Sequence, residues 1–150
     1  MKKIPLLTSI LFLFLMVTGC GSKKNDPTPT GADKATFKVE YSQSGDFDKF
    51  IKIITIGGGD FVETGTTKAM PTVLSDSHLS TTSIYSYEAK DVVELNIKTK
   101  TGFRAALDGP ASMTMKFTIY KNNIKIDEKS FTYDEKTTNG VDEHLNYKAR

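Results

Sequence analysis

The sequence predicts an all-β domain, an immunoglobulin-like antiparallel sandwich of two sheets with about seven or eight short strands. Three observations carry this. Apolar and polar residues alternate with a period of two in several stretches, Asn, Gly and Pro clusters separate those stretches, and no stretch of the domain shows helical periodicity. The chain has 150 residues, 9 Phe, 6 Tyr, no Trp and a single cysteine.

The elements follow in order. Met1-Lys2-Lys3 is a short cationic start, and Ile4 to Val17 is an apolar run too short for a comfortable membrane span. Val17-Thr18-Gly19-Cys20 closes the run with small residues and the cysteine, the anatomy of a removable export signal over residues 1–19. The tetrapeptide resembles the lipobox of bacterial lipoproteins. That resemblance implies a lipid on the Cys20 thiol and cleavage that leaves Cys20 as an acylated N-terminus. An exported chain with one cysteine has no internal disulfide partner, so acylation also removes an otherwise free thiol.

Residues 20–33 read as the acylated cysteine and its tether. Gly21 to Asp33 carries no large apolar residue, and Pro27 and Pro29 favour extended backbone. Fully stretched, such a segment reaches about 40 Å. Gly21, following the cysteine, is compatible with sorting to the outer membrane. Ser22-Lys23-Lys24-Asn25-Asp26 loosely resembles the signal that sends Bacteroidota lipoproteins to the cell surface. The expected location is the outer membrane, with the periplasmic and surface faces both open.

Residues 34–150 are the size of one domain. Phe37, Val39 and Tyr41 alternate with Lys38 and Glu40 in the first predicted strand. Phe50 to Ile56 is nearly continuous in apolar residues, which predicts a central strand covered on both faces. Ser83 to Ala89 follows, with Tyr85 and Tyr87 on one side. Val93, Leu95, Ile97 and Thr99 alternate with Glu94, Asn96 and Lys98, as do Met113, Met115, Phe117 and Ile119 with Thr114, Lys116 and Thr118. Asn122-Asn123, between Tyr120-Lys121 and Ile124-Lys125-Ile126, predicts a tight hairpin turn, because asparagine tolerates positive φ. A single turn around Phe103 to Leu107 is the one helical candidate.

The pieces lipobox, Pro/Thr tether, Tyr41-Ser42-Gln43-Ser44-Gly45, isoleucine-rich strand, the hairpin Ile119 to Ile124 and the tail Phe131-Thr132-Tyr133 together resemble small immunoglobulin-like lipoproteins of Bacteroidota. More faintly, the Tyr-x-x-x-Gly near the first strand is similar to that of MmpS-like accessory proteins. These resemblances imply an accessory β-sandwich beside an envelope complex, with no catalytic residues.

Charge excludes some partners. The chain has 20 Lys+Arg and 18 Asp+Glu, and cleavage before Cys20 removes Lys2 and Lys3, leaving a formally neutral domain. That balance argues against a nucleic-acid partner. The expected contacts are the membrane, through the lipid, and a protein or glycan partner.

Chemistry-bearing motifs are few. His78 and His144 have no metal-ligand spacing, and Ser77-His78, as neighbours, point to opposite faces of a strand. Gly57-Gly58-Gly59-Asp60 lacks the lysine and hydroxyl residue of a phosphate loop and reads as a turn. Asp127-Glu128, Asp134-Glu135 and Asp142-Glu143 are acidic pairs. Asn139 to Glu143 has a little of the oxygen-rich, glycine-turn character of a calcium loop without EF-hand spacing, and ordinary solvated turns and strand ends are the preferred reading. No catalytic residue, no metal site and no cofactor beyond the Cys20 lipid is expected.

Two loops carry apolar residues. Phe61, Phe103 and Arg104 form a candidate aromatic–cationic contact patch at the loop ends. The reading preferred for these residues is that Phe61, Phe103 and Leu107 cover the ends of the core, because exposed apolar residues of a small domain are more often caps than hot spots. The primary expectation is thus a lipid-anchored, non-catalytic binding or accessory module. It would work through that patch or through Ser83–Ala89 or Val92–Lys100 as a free sheet edge. A carboxylate-dependent envelope hydrolase and a purely structural lipoprotein are the alternatives.

Overall fold

The computed structural model describes residues 31–81, 83–104 and 109–150. The predicted signal at residues 1–19, Cys20 and most of the predicted 20–33 tether lie outside the described residues, as does Leu107. Gly31–Arg150 forms one compact unit.

Among the described residues, nine strands build two antiparallel sheets. They are β1 (Ala35–Gly45), β2 (Phe50–Gly57), β3 (Val62–Glu63), β4 (Leu74–Ser75), β5 (Tyr85–Val92), β6 (Glu94–Phe103), β7 (Ser112–Lys121), β8 (Ile124–Asp134) and β9 (Val141–Lys148). One sheet runs β3-β5-β1-β7-β8, the other β4-β2-β6-β9. The predicted two-sheet sandwich is borne out. The strands beyond the expected number include β3 and β4, two residues each, too short to show a period.

Alternation sorts the side chains. Phe37, Val39 and Tyr41 of β1, Leu95 and Ile97 of β6, and Met113, Met115, Phe117 and Ile119 of β7 are fully buried between the sheets. Tyr41 stacks tilted on Phe117 at 5.1 Å, and Phe50 meets Phe103 edge-on at 5.5 Å. The β7–β8 hairpin turns at Asn122 (φ 51°) and Asn123 (φ 66°), as predicted. Asn122 also ties the turn to β1. Its Oδ1 accepts the Thr36 N–H at 3.0 Å, and its own N–H donates to the Thr36 carbonyl at 2.8 Å.

One element departs from expectation. β2 is not covered on both faces. Phe50, Lys52, Ile54 and Ile56 point inward, whereas Ile51 and Ile53 are 45% and 40% exposed. The continuous apolar run hid a period of two whose buried set includes a lysine. Val93 is also exposed, and the inward set of β6 is Leu95, Ile97, Thr99, Thr101 and Phe103.

The glycine run after β2 turns the chain where two backbones approach closely. Gly58 sits at φ 107°, and a Cβ there would collide with the Glu94 carbonyl oxygen. Gly45 ends β1 at φ 82° for the same reason, against the Ser112 carbonyl.

Candidate binding end of the sandwich

Register brings one set of loops together. Gly45 pairs with Met113, Ser112 with Asp134, Phe50 with Phe103 and Thr101 with Val141. The segments 46–49, 109–111 and 135–140 therefore meet at one end of the sandwich. Loops at such an end are where binding surfaces are commonly built.

Three inward-facing polar residues organise this end. Lys52 is 2% exposed, and its ammonium donates to the carbonyl oxygens of Phe47 (2.5 Å) and Phe50 (3.2 Å) and lies 3.3 Å from Asp76 Oδ1. Asp76 Oδ1 also accepts the Lys52 backbone N–H at 2.9 Å, and its Oδ2 pairs with the Arg104 guanidinium. One carboxylate thus ties β2, the segment after β4 and the segment after β6. Burial lowers the Lys52 pKa from its ordinary value, while Asp76 acts in the opposite direction. Gln43 is the third. Its Nε2 donates to the carbonyls of Leu79 (2.7 Å) and Thr81 (2.8 Å), and its Oε1 accepts the Tyr41 hydroxyl at 2.9 Å. Burial pushes the Tyr41 hydroxyl far above the ordinary tyrosine range.

Gln43, Lys52 and Asp76 were missed by sequence reasoning. The available signal was phase. Gln43 continues the Phe37-Val39-Tyr41 set, and Lys52 falls in step with Phe50, Ile54 and Ile56.

The predicted Phe61–Phe103–Arg104 patch is not assembled. Phe61 is 5% and Phe103 9% exposed, both within the core. Phe103 stands opposite Phe50 at the start of β2, whereas Phe61 follows Gly57 at its other end. Burial of each ring against the core removes it from solvent, so neither is free for a partner. Arg104 is partly exposed and engaged by Asp76. The predicted edges are interior as well. β5 lies between β3 and β1, and β6 between β2 and β9.

Two hollows open at this end. Asp46, Pro110, Ala111, Ser112, Asp134 and Glu135 line a shallow one of about 450 Å3. Asp46 Oδ2 accepts the Ser112 N–H at 3.1 Å, and Glu135 Oε2 accepts that of Ala111 at 3.3 Å. Ile51, Ile53, Phe103, Lys100, Gly102 and Gly140 border an apolar groove of about 250 Å3.

The histidines do not form an acid–base site. His78 Nδ1 lies 3.2 Å from Ser75 Oγ and 3.3 Å from the Ser75 nitrogen, a local turn contact, while Asp76 serves Lys52 and Arg104. His144 pairs across from Lys98 on the outer face of β9. Members of the acidic pairs are also engaged. Glu128 meets Lys116 and Lys125, Asp127 meets Lys129 and Tyr147, and Asp142 lies 3.9 Å from Lys100.

Calcium asks for several converging oxygens. The Asp46–Asp134–Glu135 hollow has the right donor type, but among the described residues no three acidic, His or Cys side chains converge closely enough to hold a metal ion. In Asn139–Glu143, Asp142 and Glu143 alternate along β9 and face opposite sides.

No curated protein matches the chain. Among solved structures it is similar to the calcium-bound form of a protein from Parabacteroides distasonis, determined by NMR. The identity is 26%, the TM-score 0.61, and the match covers 79% of this chain and 95% of that one. It shares its fold with two DUF4425 proteins. One is from Bacteroides vulgatus (13% identity, TM-score 0.58, 77% and 94% covered), the other from Bacteroides ovatus (13%, 0.59, 77% and 96%). Together with the lipoprotein family model that follows, the Parabacteroides match supports a small Bacteroidota-type lipoprotein, and none of these matches supports the MmpS-like resemblance. A family model spans residues 2–148, and by that match the chain belongs to the PLCC family, PLAT/LH2 and C2-like Ca2+-binding lipoprotein.

Proposed function

We propose that the chain is a lipid-anchored, non-catalytic module of the outer envelope that takes up calcium at the 46/110–112/134–135 end and presents that end to a protein or glycan partner. The observation that carries this reading is the hollow lined by Asp46, Asp134 and Glu135 on a fold whose family description is calcium-binding and whose Parabacteroides neighbour was solved calcium-bound. The described positions of these carboxylates do not form a closed cage, so binding draws the loops together. Lipid on Cys20, at the end of the export signal, supplies the anchor, and two or more acyl chains hold it stably.

The test is a calcium titration followed by calorimetry and amide NMR. The expected result is saturable binding, with shifts concentrated at Asp46, Ala111, Ser112, Asp134 and Glu135 and lost in Asp46→Asn with Glu135→Gln. Absence of heat and of shifts at millimolar calcium overturns the calcium part. Radiolabelled palmitate incorporation, abolished by Cys20→Ser, tests the anchor separately.

A further inference from the structure

Among the described residues, β9 leaves one edge of its sheet open. All its described strand pairing is with β6, from Glu94–Lys148 to Thr101–Val141, and it carries no register shift. The Ala149 N–H donates to the Val93 carbonyl at 2.9 Å, in step with that register. In antiparallel pairing, hydrogen-bonded residues alternate along the strand. Val141, Glu143, Leu145 and Tyr147 therefore turn their backbone groups toward β6. Asp142, His144, Asn146 and Lys148 turn theirs outward, onto the free edge. The other open edge on this side of the sandwich, β8, is different. β8 is itself bulged, since Ile119 pairs with Asp127 but Tyr120 with Lys125, leaving Ile126 as the extra residue, and Glu128, Asp127, Lys125 and Lys129 neutralise one another within the chain. A bulge and local charge are the usual protection of an edge.

We propose that β9 is a self-association edge, pairing antiparallel with β9 of a second copy about a two-fold axis through Leu145. In this register Asp142, which makes only a long, exposed 3.9 Å contact with its own Lys100, faces Lys148 of the second copy, and Lys148 faces its Asp142. His144 lies opposite Asn146, and the two Leu145 side chains meet at the centre. The even-numbered residues, whose backbone groups point outward, pair with even-numbered residues, as a ladder requires. Opposite charges directly across a sheet stabilise, and like charges destabilise. Sliding the register two residues one way sets His144 on itself and takes both charge pairs apart. Sliding it the other way sets His144 against Lys148 and moves Asp142 opposite Arg150, which lies beyond the end of β9 at Lys148 and so outside the ladder. The result is one continuous sheet of eight strands, four from each copy.

An eight-residue edge is a small interface by the standard of stable dimers. This inference leans on the anchored state proposed above, because confinement to a membrane raises the effective concentration of the two copies.

The test uses the full-length protein in its own membranes. In a non-hydrogen-bonded antiparallel pair the Cα atoms are about 4.5 Å apart, close enough for a disulfide. Leu145→Cys should therefore trap as a dimer on mild oxidation, whereas the wild type and Ser130→Cys, on β8, should not. Adding Lys148→Glu should lower trapping about tenfold by placing like charges across both pairs, and adding Asp142→Lys to that variant should restore it. Circular dichroism on each variant checks the fold. Trapping through Ser130→Cys but not Leu145→Cys, or trapping through Leu145→Cys that ignores the charge changes, overturns the proposal. Membrane fractionation of the same samples reports anchorage independently, so loss of anchorage and loss of pairing are read apart.

Discussion

Asp76 shows how much one residue decides in this domain. It accepts the backbone N–H of Lys52 and faces the ammonium of Lys52 and the guanidinium of Arg104. Removing it strands a buried cation. Asp76→Ala should cost about 2–3 kcal/mol, toward the lower end for a broken buried pair because the carboxylate is itself partly exposed. Lys52→Met should cost less, since it removes the buried charge and leaves Asp76 paired with Arg104. Urea unfolding of the two variants makes the comparison, and an equal cost would show that the pair, rather than the stranded charge, sets the energy. Gly58→Ala belongs to the same scale. Its positive φ and the Glu94 carbonyl predict a loss of about 2–3 kcal/mol, read from the same curves. None of these three roles is written in the residue type. Lysine and aspartate are common surface residues, and only the strand phase of Lys52 hinted at burial.

At the scale of elements, hairpins and alternating strands were legible, and a strand with apolar residues on its exposed face was not. The alternation in β1, β6 and β7 appears in the sequence because each has one face on the core and the other in water. In β2 the exposed positions are Ile51 and Ile53, so the signal vanished although the geometry is the same. Those residues border the apolar groove with Phe103, and replacing both by threonine should leave stability nearly unchanged, within about 0.5 kcal/mol, in thermal melts. The Asn122-Asn123 turn has positive φ at both positions. Asn123→Gly should therefore raise stability by about 0.5 kcal/mol, measurable as a higher melting temperature. The predicted edges, Ser83–Ala89 and Val92–Lys100, proved interior because strand order depends on residues far apart in the chain.

At the scale of the whole molecule, pH acts through groups spread over both sheets. Burial works against ionising Glu40, but hydrogen bonds from Lys38 and Tyr120 outweigh it and lower its pKa. A hydrogen bond from Tyr147 lowers Asp127, and Lys125 and Lys116 hold Glu128 down at about 2. Carboxyls lowered in the folded state add stability above their unfolded pKa and lose it as pH falls through the folded value. The urea midpoint should thus decline between about pH 4.5 and pH 2, less steeply in high salt because Glu128 is exposed. Tyr41, Tyr87, Tyr133 and Tyr147 are all raised, chiefly by burial. Their contribution is complete below about pH 10 and is lost above it, so alkaline unfolding should track tyrosinate absorbance. Replacing Tyr41 by Phe should move that transition to higher pH.

The sequence by itself determined the sandwich class, the Asn122-Asn123 turn and the face assignment of the alternating strands. Each of these depends on residues a few positions apart, through strand pleat and turn stereochemistry. The proposed export signal ending at Cys20 is an equally local reading, and the family match supports the coarser statement that the chain is a lipoprotein. The tertiary structure alone decided which loops share an end, that Phe61 and Phe103 belong to the core, and that Asp76 joins three segments. It also decided that β9, rather than β5 or β6, carries an open edge. These outcomes rest on pairings between residues tens of positions apart. Their selection depends on the packing of the whole chain, and no short window of sequence records it.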